Sequence, residues 1–115
     1  MEVKRIKLKG DPYESYIKII SVLFNLTPLE QRVATSLLKR YEALLLEASP
    51  AIANEVLFST RISKEIKEEL GIKEATYNNI KSSLTTKGVI IDKNLNPRLR
   101  LTEVHFTYED NVQSI

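Results

Sequence analysis

Two glycines, Gly71 and Gly88, each end a stretch of sequence with helical periodicity, and together they limit what this chain can fold into more than any other feature. The apolar positions recur every three or four residues and are Ile62, Ile66 and Leu70 before the first glycine, then Tyr77, Ile80 and Leu84 before the second. Glycine is the usual residue at a left-handed helix C-cap. The pattern predicts a first helix that ends at Gly71, with Thr60 or Ser63 as its N-cap. After a short turn, a second helix should occupy residues 74–87.

The residues after Gly88 predict a β-hairpin. Val89, Ile90 and Ile91 are β-branched and indicate a strand. Residues 92–97, with two asparagines and a proline, indicate a turn. Residues 98–101 alternate arginine with leucine, the period-two pattern of a returning strand. We therefore expect a hairpin over residues 89–101.

The first half of the chain predicts two further helices. Asp11 and Pro12 form a capping pair, and the apolar positions that follow are Tyr13, Tyr16, Ile17, Ile20, Leu23 and Phe24, which carry the pattern to about Asn25. Thr27, Pro28 and Glu30 form a capping box with proline at the first helical position, and that helix should run to about Glu47. Its leucine-rich stripe serves either as core or as a dimerisation helix, and core is the more economical account. Residues 50–59 leave two alternatives open, a short helical turn and an irregular loop.

The order helix, glycine turn, helix and hairpin resembles the winged helix-turn-helix superfamily. The residues that carry the resemblance are 66–72 (IKEELGI), 76–80 (TYNNI), Leu84 and 87–90 (KGVI), and Leu95, Asn96 and Pro97 after them are similar to small winged-helix proteins encoded by bacteriophages. The resemblance covers roughly residues 27–101. It implies a mainly α fold with a small β-hairpin (α+β) in a domain of residues 13–102. Residues 1–12 would be an arm or short strand, and residues 103–115 a flexible tail.

The resemblance also implies where nucleic acid would bind. In a helix-turn-helix the second helix enters the major groove, so helix 74–87 would be the recognition helix and residues 89–101 the wing. Asparagine can form two hydrogen bonds with adenine, and lysine can hold phosphates. The expected DNA-binding residues are Lys73, Thr76, Asn78, Asn79, Lys81 and Ser82 on and before the helix, and Lys93, Arg98 and Arg100 on the wing. Two features argue against it: the helix has no arginine, and Glu74 would repel a phosphate.

Composition excludes several other classes of protein. The chain has no cysteine and one histidine, His105, so we expect no enzyme, no metal site and no cofactor. No apolar run approaches the roughly 20 residues of a membrane span, and we expect a cytoplasmic protein (host cytoplasm if viral) with no small-molecule substrate. The net charge is only +2, but residues 61–100 hold nine Lys/Arg against five Asp/Glu, while residues 101–115 hold three acids and no Lys or Arg. A basic segment of this kind is compatible with a nucleic-acid face.

Two functions remain from the sequence. The first is a protein that binds double-stranded DNA, as a viral regulator of transcription or a replication accessory factor. The second is a non-enzymatic virion or DNA-packaging component that uses the same fold for contacts with other subunits or as a homodimer. The apolar residues of segment 51–58, which could form an exposed patch, motivate the second.

Overall fold

The computed structural model describes residues 11–100. Within them it has five helices and one two-stranded antiparallel sheet, which confirms the mainly α, α+β prediction. The elements are α1 (Pro12–Phe24), α2 (Pro28–Leu45), α3 (Pro50–Leu57), α4 (Thr60–Leu70), α5 (Glu74–Lys87), β1 (Ile90–Ile91) and β2 (Asn94–Leu95). The predicted arm up to residue 10, residues 101–102 and the predicted tail at residues 103–115 lie outside the described residues.

Side-chain caps set the start of the first four helices. Asp11, Thr27, Ser49 and Ser59 each accept a hydrogen bond from a backbone N–H in the first turn. The capping box is present as predicted: the Glu30 N–H donates to Thr27 Oγ1 at 3.3 Å, and the Thr27 N–H donates to Glu30 Oε1 at 2.9 Å. The predicted cap of α4 was wrong, because Ser59 rather than Thr60 or Ser63 is the residue with extended backbone whose hydroxyl faces the first turn.

Helix α2 is the centre of the described molecule, since it contacts each of the other four helices and β2. Its stripe is buried, with Val33, Ala34, Leu37, Leu38 and Tyr41 all at most 3% exposed. This burial places these five residues in the core of the domain, and the remaining leucines of the stripe, Leu29, Leu44 and Leu45, are partly buried against it. The helix ends at Leu45, two residues before the predicted end.

Segment 50–59 is mostly helix α3, one of the two alternatives left open by the sequence, and it is not an exposed apolar patch. Ala53 and Leu57 are fully buried, although Ile52 remains 53% exposed. Asn54 is buried as well, and its Oδ1 accepts a hydrogen bond from the Leu95 N–H at 2.8 Å. Helix α3 therefore packs against β2 and accepts a hydrogen bond from it.

Helices α4 and α5 pack through the residues that the periodicity indicated. Ile62 and Ile66 on α4, and Tyr77, Ile80 and Leu84 on α5, are all buried. Gly71 and Gly88 end the two helices with φ of +66° and +91°, a backbone region in which a side chain is strained. Both C-caps were predicted correctly.

The hairpin is shorter than predicted. Ile90 pairs with Leu95 and Ile91 with Asn94, so the turn is only Asp92 and Lys93, with φ of +52° and +65°. Positive φ at both central residues is the geometry of a type I′ hairpin turn.

Residues 98–100 are not the returning strand, which corrects the prediction. The Asn96 side chain donates to the Gly88 carbonyl at 3.0 Å, and the chain then forms a turn in which the Arg98 N–H donates to Asn96 Oδ1 at 2.9 Å and the Leu99 N–H to the Asn96 carbonyl at 3.0 Å. The alternation of arginine and leucine has a different cause, because Leu99 is buried in an irregular segment. Arg98 and Arg100 therefore follow the hairpin and are not on it.

Helix α1 departs from its prediction at one position. Tyr16, Ile17 and Ile20 are buried, but Leu23 is 82% exposed. On a helix of 3.6 residues per turn, Leu23 lies closer to Ile19 than to the centre of the buried stripe. Ile19 and Val22 are also exposed, at 69% and 82%.

Candidate nucleic-acid interface

Helix α5 presents one buried face and one polar face. The buried face carries the three core residues, and the opposite face exposes Asn78, Asn79 and Ser82. Lys73, at the N-cap, is also exposed, whereas Thr76 is half-buried at the side of the helix. No side chain caps the start of α5, because the Lys73 ammonium has no acceptor for the first backbone N–H groups.

A cavity of about 450 Å³ lies between α5 and the hairpin. Its lining residues are Phe58, Asn78, Lys81, Ser82, Thr85, Ile90 and Lys93. We call this cavity the α5–hairpin groove. It brings together four of the nine residues predicted from sequence, three from α5 and one from the hairpin turn. A larger cavity of about 680 Å³ between α1, α2 and α4 is less suited to a polyanion, because its three cations, Lys18, Arg32 and Lys39, are balanced by three acids, Asp11, Glu14 and Glu69.

The lysines of the site are free of carboxylates in the described part of the chain. Six of the ten other cations in residues 11–100 form ion pairs at up to 4.0 Å, namely Lys39, Arg40, Arg61, Lys67, Lys87 and Arg100, and the other four, Lys18, Arg32, Lys64 and Arg98, form none. Among residues 11–100, no carboxylate lies within that distance of Lys73, Lys81 or Lys93. Lys81 Nζ instead lies 5.2 Å from the centre of the Tyr77 ring. No carboxylate of the described residues therefore forms an ion pair with these three ammonium groups.

The acid at the start of α5 is partly neutralised. Lys67 on α4 places its Nζ 3.1 Å from Glu74 Oε1 across the turn between the two helices. Glu74 is the only acidic residue of α5, and none follows it until Asp92. The exposed face of α5 is therefore neutral or positive along most of its length.

Glu30 anchors the C-terminal end of α5 to α2. Lys87 Nζ donates to Glu30 Oε1 at 2.6 Å and to the Asn25 carbonyl at 2.7 Å, and Ser83 donates to Glu30 Oε2. Burial acts to raise the pKa of Glu30. Hydrogen bonds from Lys87, Ser83 and the Thr27 N–H outweigh that effect and bring the pKa to about 2. This network fixes the end of α5 from which the hairpin begins.

Two asparagines hold the hairpin against the helices. Asn54 binds the Leu95 N–H from α3, and Asn96 binds the Gly88 carbonyl at the end of α5. Both are buried. A buried polar group is costly unless it is hydrogen-bonded, so these bonds specify one position of the hairpin relative to α5.

The two arginines assigned to the wing lie apart from the groove. Arg98 is exposed in the segment after the hairpin. Arg100 is half-buried, and its Nε lies 3.5 Å from Glu42 Oε2, while the Tyr13 hydroxyl donates to Glu42 Oε1 at 3.1 Å. Arg100 is thus paired with the buried Glu42 carboxylate, which lies between α1 and α2.

Sequence reasoning missed three lining residues of the groove. Thr85 follows Asn78 by seven residues and Lys81 by four, so helical spacing alone could have found it. Phe58 and Ile90 gave no usable signal, because segment 50–59 had no readable pattern and the hairpin register was unknown. Sequence reasoning also missed that Asn54 positions the hairpin, because this role depends on a hydrogen bond with Leu95, 41 residues away.

We also searched residues 11–100 for metal sites and for membrane-spanning helices. No group of three or more histidine, cysteine or acidic side chains there could hold a metal ion. None of the described helices is long and apolar enough to cross a membrane.

A scan against protein-family models, a search of curated proteins and a search of solved structures each gave no match to this chain.

Proposed function

We propose that this chain is a winged helix-turn-helix protein that binds double-stranded DNA. In this reading α4 and α5 are the helix-turn-helix, α5 is the recognition helix, and residues 89–96 are the wing. The biological role proposed is that of a viral regulator of transcription or a replication accessory factor.

The observation that carries the proposal is the charge state of the α5–hairpin groove. Lys81 and Lys93 face one cavity with no carboxylate in its lining and none in ion-pair distance among the described residues. Phosphate contacts supply most of the affinity of a DNA-binding protein, and unpaired lysines are what such contacts need. Other described cations, among them Lys18 and Lys64, are also unpaired, but the groove brings two unpaired lysines together in one carboxylate-free cavity.

The groups beside these lysines suit base recognition. Asn78 and Asn79 expose amides that can donate and accept in the major groove, and Ser82 adds a hydroxyl. Thr76, at the side of α5, is placed for a phosphate or a thymine methyl group, and Lys73 for a phosphate near the helix start. Phosphate contacts would set the register of the protein on the duplex, and the amides would read sequence.

Substitutions separate these two roles. We expect Asn78→Ala and Asn79→Ala to relax sequence preference, by roughly 1–3 kcal/mol for an amide that makes a bidentate base contact. Lys81→Ala should weaken binding to all sequences alike. Lys18→Ala is the matched control, because Lys18 is an exposed lysine on α1 with no ion pair in residues 11–100. Selection from a random duplex library followed by affinity measurement tests this, and an unchanged preference in both asparagine variants would refute the assignment of base-reading residues.

A second candidate function rests on α1. Ile19, Val22 and Leu23 form an exposed apolar stripe on this helix. Exposed apolar stripes of this kind mark protein contacts. The second candidate is a structural protein, such as a virion or packaging component, whose copies associate through α1.

The α1 stripe is small for a permanent interface. Three side chains cover far less than the roughly 800 Å² that each partner buries in a standard interface. We therefore expect weak association in sedimentation velocity, seen only at high protein concentration and abolished by Val22→Glu. Ser15→Glu, on the same side of α1 but outside the apolar triplet, is the control. A protein that stays monomeric at every concentration would remove this candidate.

A further inference from the structure

The α5–hairpin groove has features that a perfect duplex does not use. Its lining combines an aromatic ring, Phe58, with the apolar Ile90 from β1. Lys81 and Lys93 contribute the two charges of the lining, and Asn78 contributes an amide. Stacked and paired bases expose only their edges in the grooves of DNA, so a duplex would meet Asn79 and its neighbours on the outer face of α5. It would leave the exposed part of the Phe58 side chain, whose remainder packs against the core, without contact to the DNA.

The size of the groove suits one nucleotide. Its volume of about 450 Å³ falls in the range of roughly 300–1,000 Å³ that is usual for small-ligand sites. A nucleotide needs an apolar or aromatic surface for its base, a cation for its phosphate, and few polar groups to orient it. The groove offers each of these and contains no carboxylate.

We infer that the α5–hairpin groove binds an unpaired nucleotide of DNA. The base would lie against Phe58 and Ile90, with its polar edge towards Asn78 and the flanking phosphates towards Lys81 and Lys93. Aromatic stacking is tolerant of base identity, so the preference would be for an unpaired base of any sequence. An already unpaired base also avoids the cost of leaving a duplex. The inference rests on the proposed function for the duplex that flanks this nucleotide.

Fluorescence anisotropy with three labelled DNAs at one salt concentration tests the inference. The probes are a perfect hairpin duplex, the same hairpin with one additional unpaired thymidine in the stem, and an oligothymidine single strand. The protein should bind the bulged hairpin roughly 5- to 150-fold more tightly than the perfect one, as expected from stacking of one base on an aromatic ring.

Substitutions in the groove decide whether Phe58 is responsible. Phe58→Leu keeps an apolar side chain but removes the aromatic face, and it should abolish the preference for the bulge, measured as the ratio of the affinities for the bulged and perfect hairpins. Thr85→Met is a second variant that fills the groove from an exposed position on α5. It should also abolish the preference for the bulge, measured as the ratio of the affinities for the bulged and perfect hairpins. Lys93→Ala should weaken binding to all three probes. Thermal melts followed by circular dichroism confirm that each variant is folded.

The outcomes separate this inference from the proposed function. Equal affinity for the perfect and bulged hairpins would overturn the inference and leave duplex binding intact. A preference for the bulge that survives both Phe58→Leu and Thr85→Met would also overturn it, since bending of the bulged DNA would then explain the preference. Binding of the bulged and single-stranded probes alone, lost in Phe58→Leu, would uphold the groove and refute the proposed duplex binding.

Discussion

Lys93 occupies a backbone conformation that its side chain disfavours. Its φ of +65° lies in the left-handed region, where residues other than glycine, asparagine and aspartate are uncommon. The second central residue of a type I′ turn is usually glycine. Asp92 fits the first position, but lysine at the second costs about 1 kcal/mol relative to glycine. Strain of this kind collects at functional sites.

The strain at Lys93 predicts that its replacement by glycine changes stability and DNA binding in opposite directions. Lys93→Gly should raise the free energy of unfolding by about 1 kcal/mol, because the strain is relieved, and should weaken DNA binding, because a phosphate contact is lost. Urea denaturation and anisotropy measure the two effects. Asn25→Gly is the control, since Asn25 is also left-handed at φ +57° but lies at the end of α1. A Lys93→Gly variant that binds DNA normally would show that the charge has no role.

At the residue scale, the sequence was informative where one short pattern determines a local structure. The capping box at Thr27 and Glu30 and the C-cap glycines depend on residues within a few positions of one another. Asn54 and Asn96 depend instead on which buried backbone group happens to need a partner. That need arises only after the helices have packed, so no local pattern predicts it.

At the scale of elements, the link between α2 and α5 is sensitive to acid. The pKa of Glu30 is about 2 in the folded protein against an ordinary 4.5. A lowered folded pKa means that the stabilisation is present in full above pH 4.5 and is lost as the pH falls towards 2. A shift of this size corresponds to about 3 kcal/mol as an order of magnitude.

Glu30→Gln tests this linkage. Glutamine keeps the shape of the side chain but cannot form the charged pair with Lys87, whose Nζ lies 2.6 Å from Glu30 Oε1. We expect the variant to be less stable than the parent by about 2–3 kcal/mol near pH 6, and the difference to shrink between pH 4.5 and 2. Urea denaturation across this pH range measures it. A difference that stays constant with pH would show that the carboxylate charge does not stabilise the α2–α5 contact.

The helices were predictable as elements, but the hairpin was only partly so. A helix such as α5 repeats its apolar period over several turns, which fixes both its existence and its inward face. The hairpin has two residues in each strand, and its register follows from a turn that lacks the usual glycine. The period-two pattern that begins at residue 98 therefore led us to predict the returning strand after its true position, which is β2.

At the scale of the whole molecule, the distribution of ion pairs matters more than net charge. A net charge of +2 over 115 residues says little about a partner. In residues 11–100, pairing with acids engages cations such as Arg40 and Lys87, which tie helices together. Seven cations there form no ion pair, and three of them lie at the N-cap of α5 (Lys73), on α5 (Lys81) and in the hairpin turn (Lys93). These lysines could be named from the sequence, but which cations form ion pairs became clear only from the structure.

Salt dependence of duplex binding tests the central claim most directly. Anisotropy of a labelled mixed-sequence duplex should show affinity falling roughly 40-fold between 50 and 200 mM salt if three lysines contact phosphates. The double variant Lys81→Ala/Lys93→Ala should lower the slope of log affinity against log salt by roughly 1.8. The control Lys18→Ala/Arg32→Ala should leave the slope unchanged. Absence of binding by folded protein at 50 mM salt, or binding that does not respond to salt, would contradict the account.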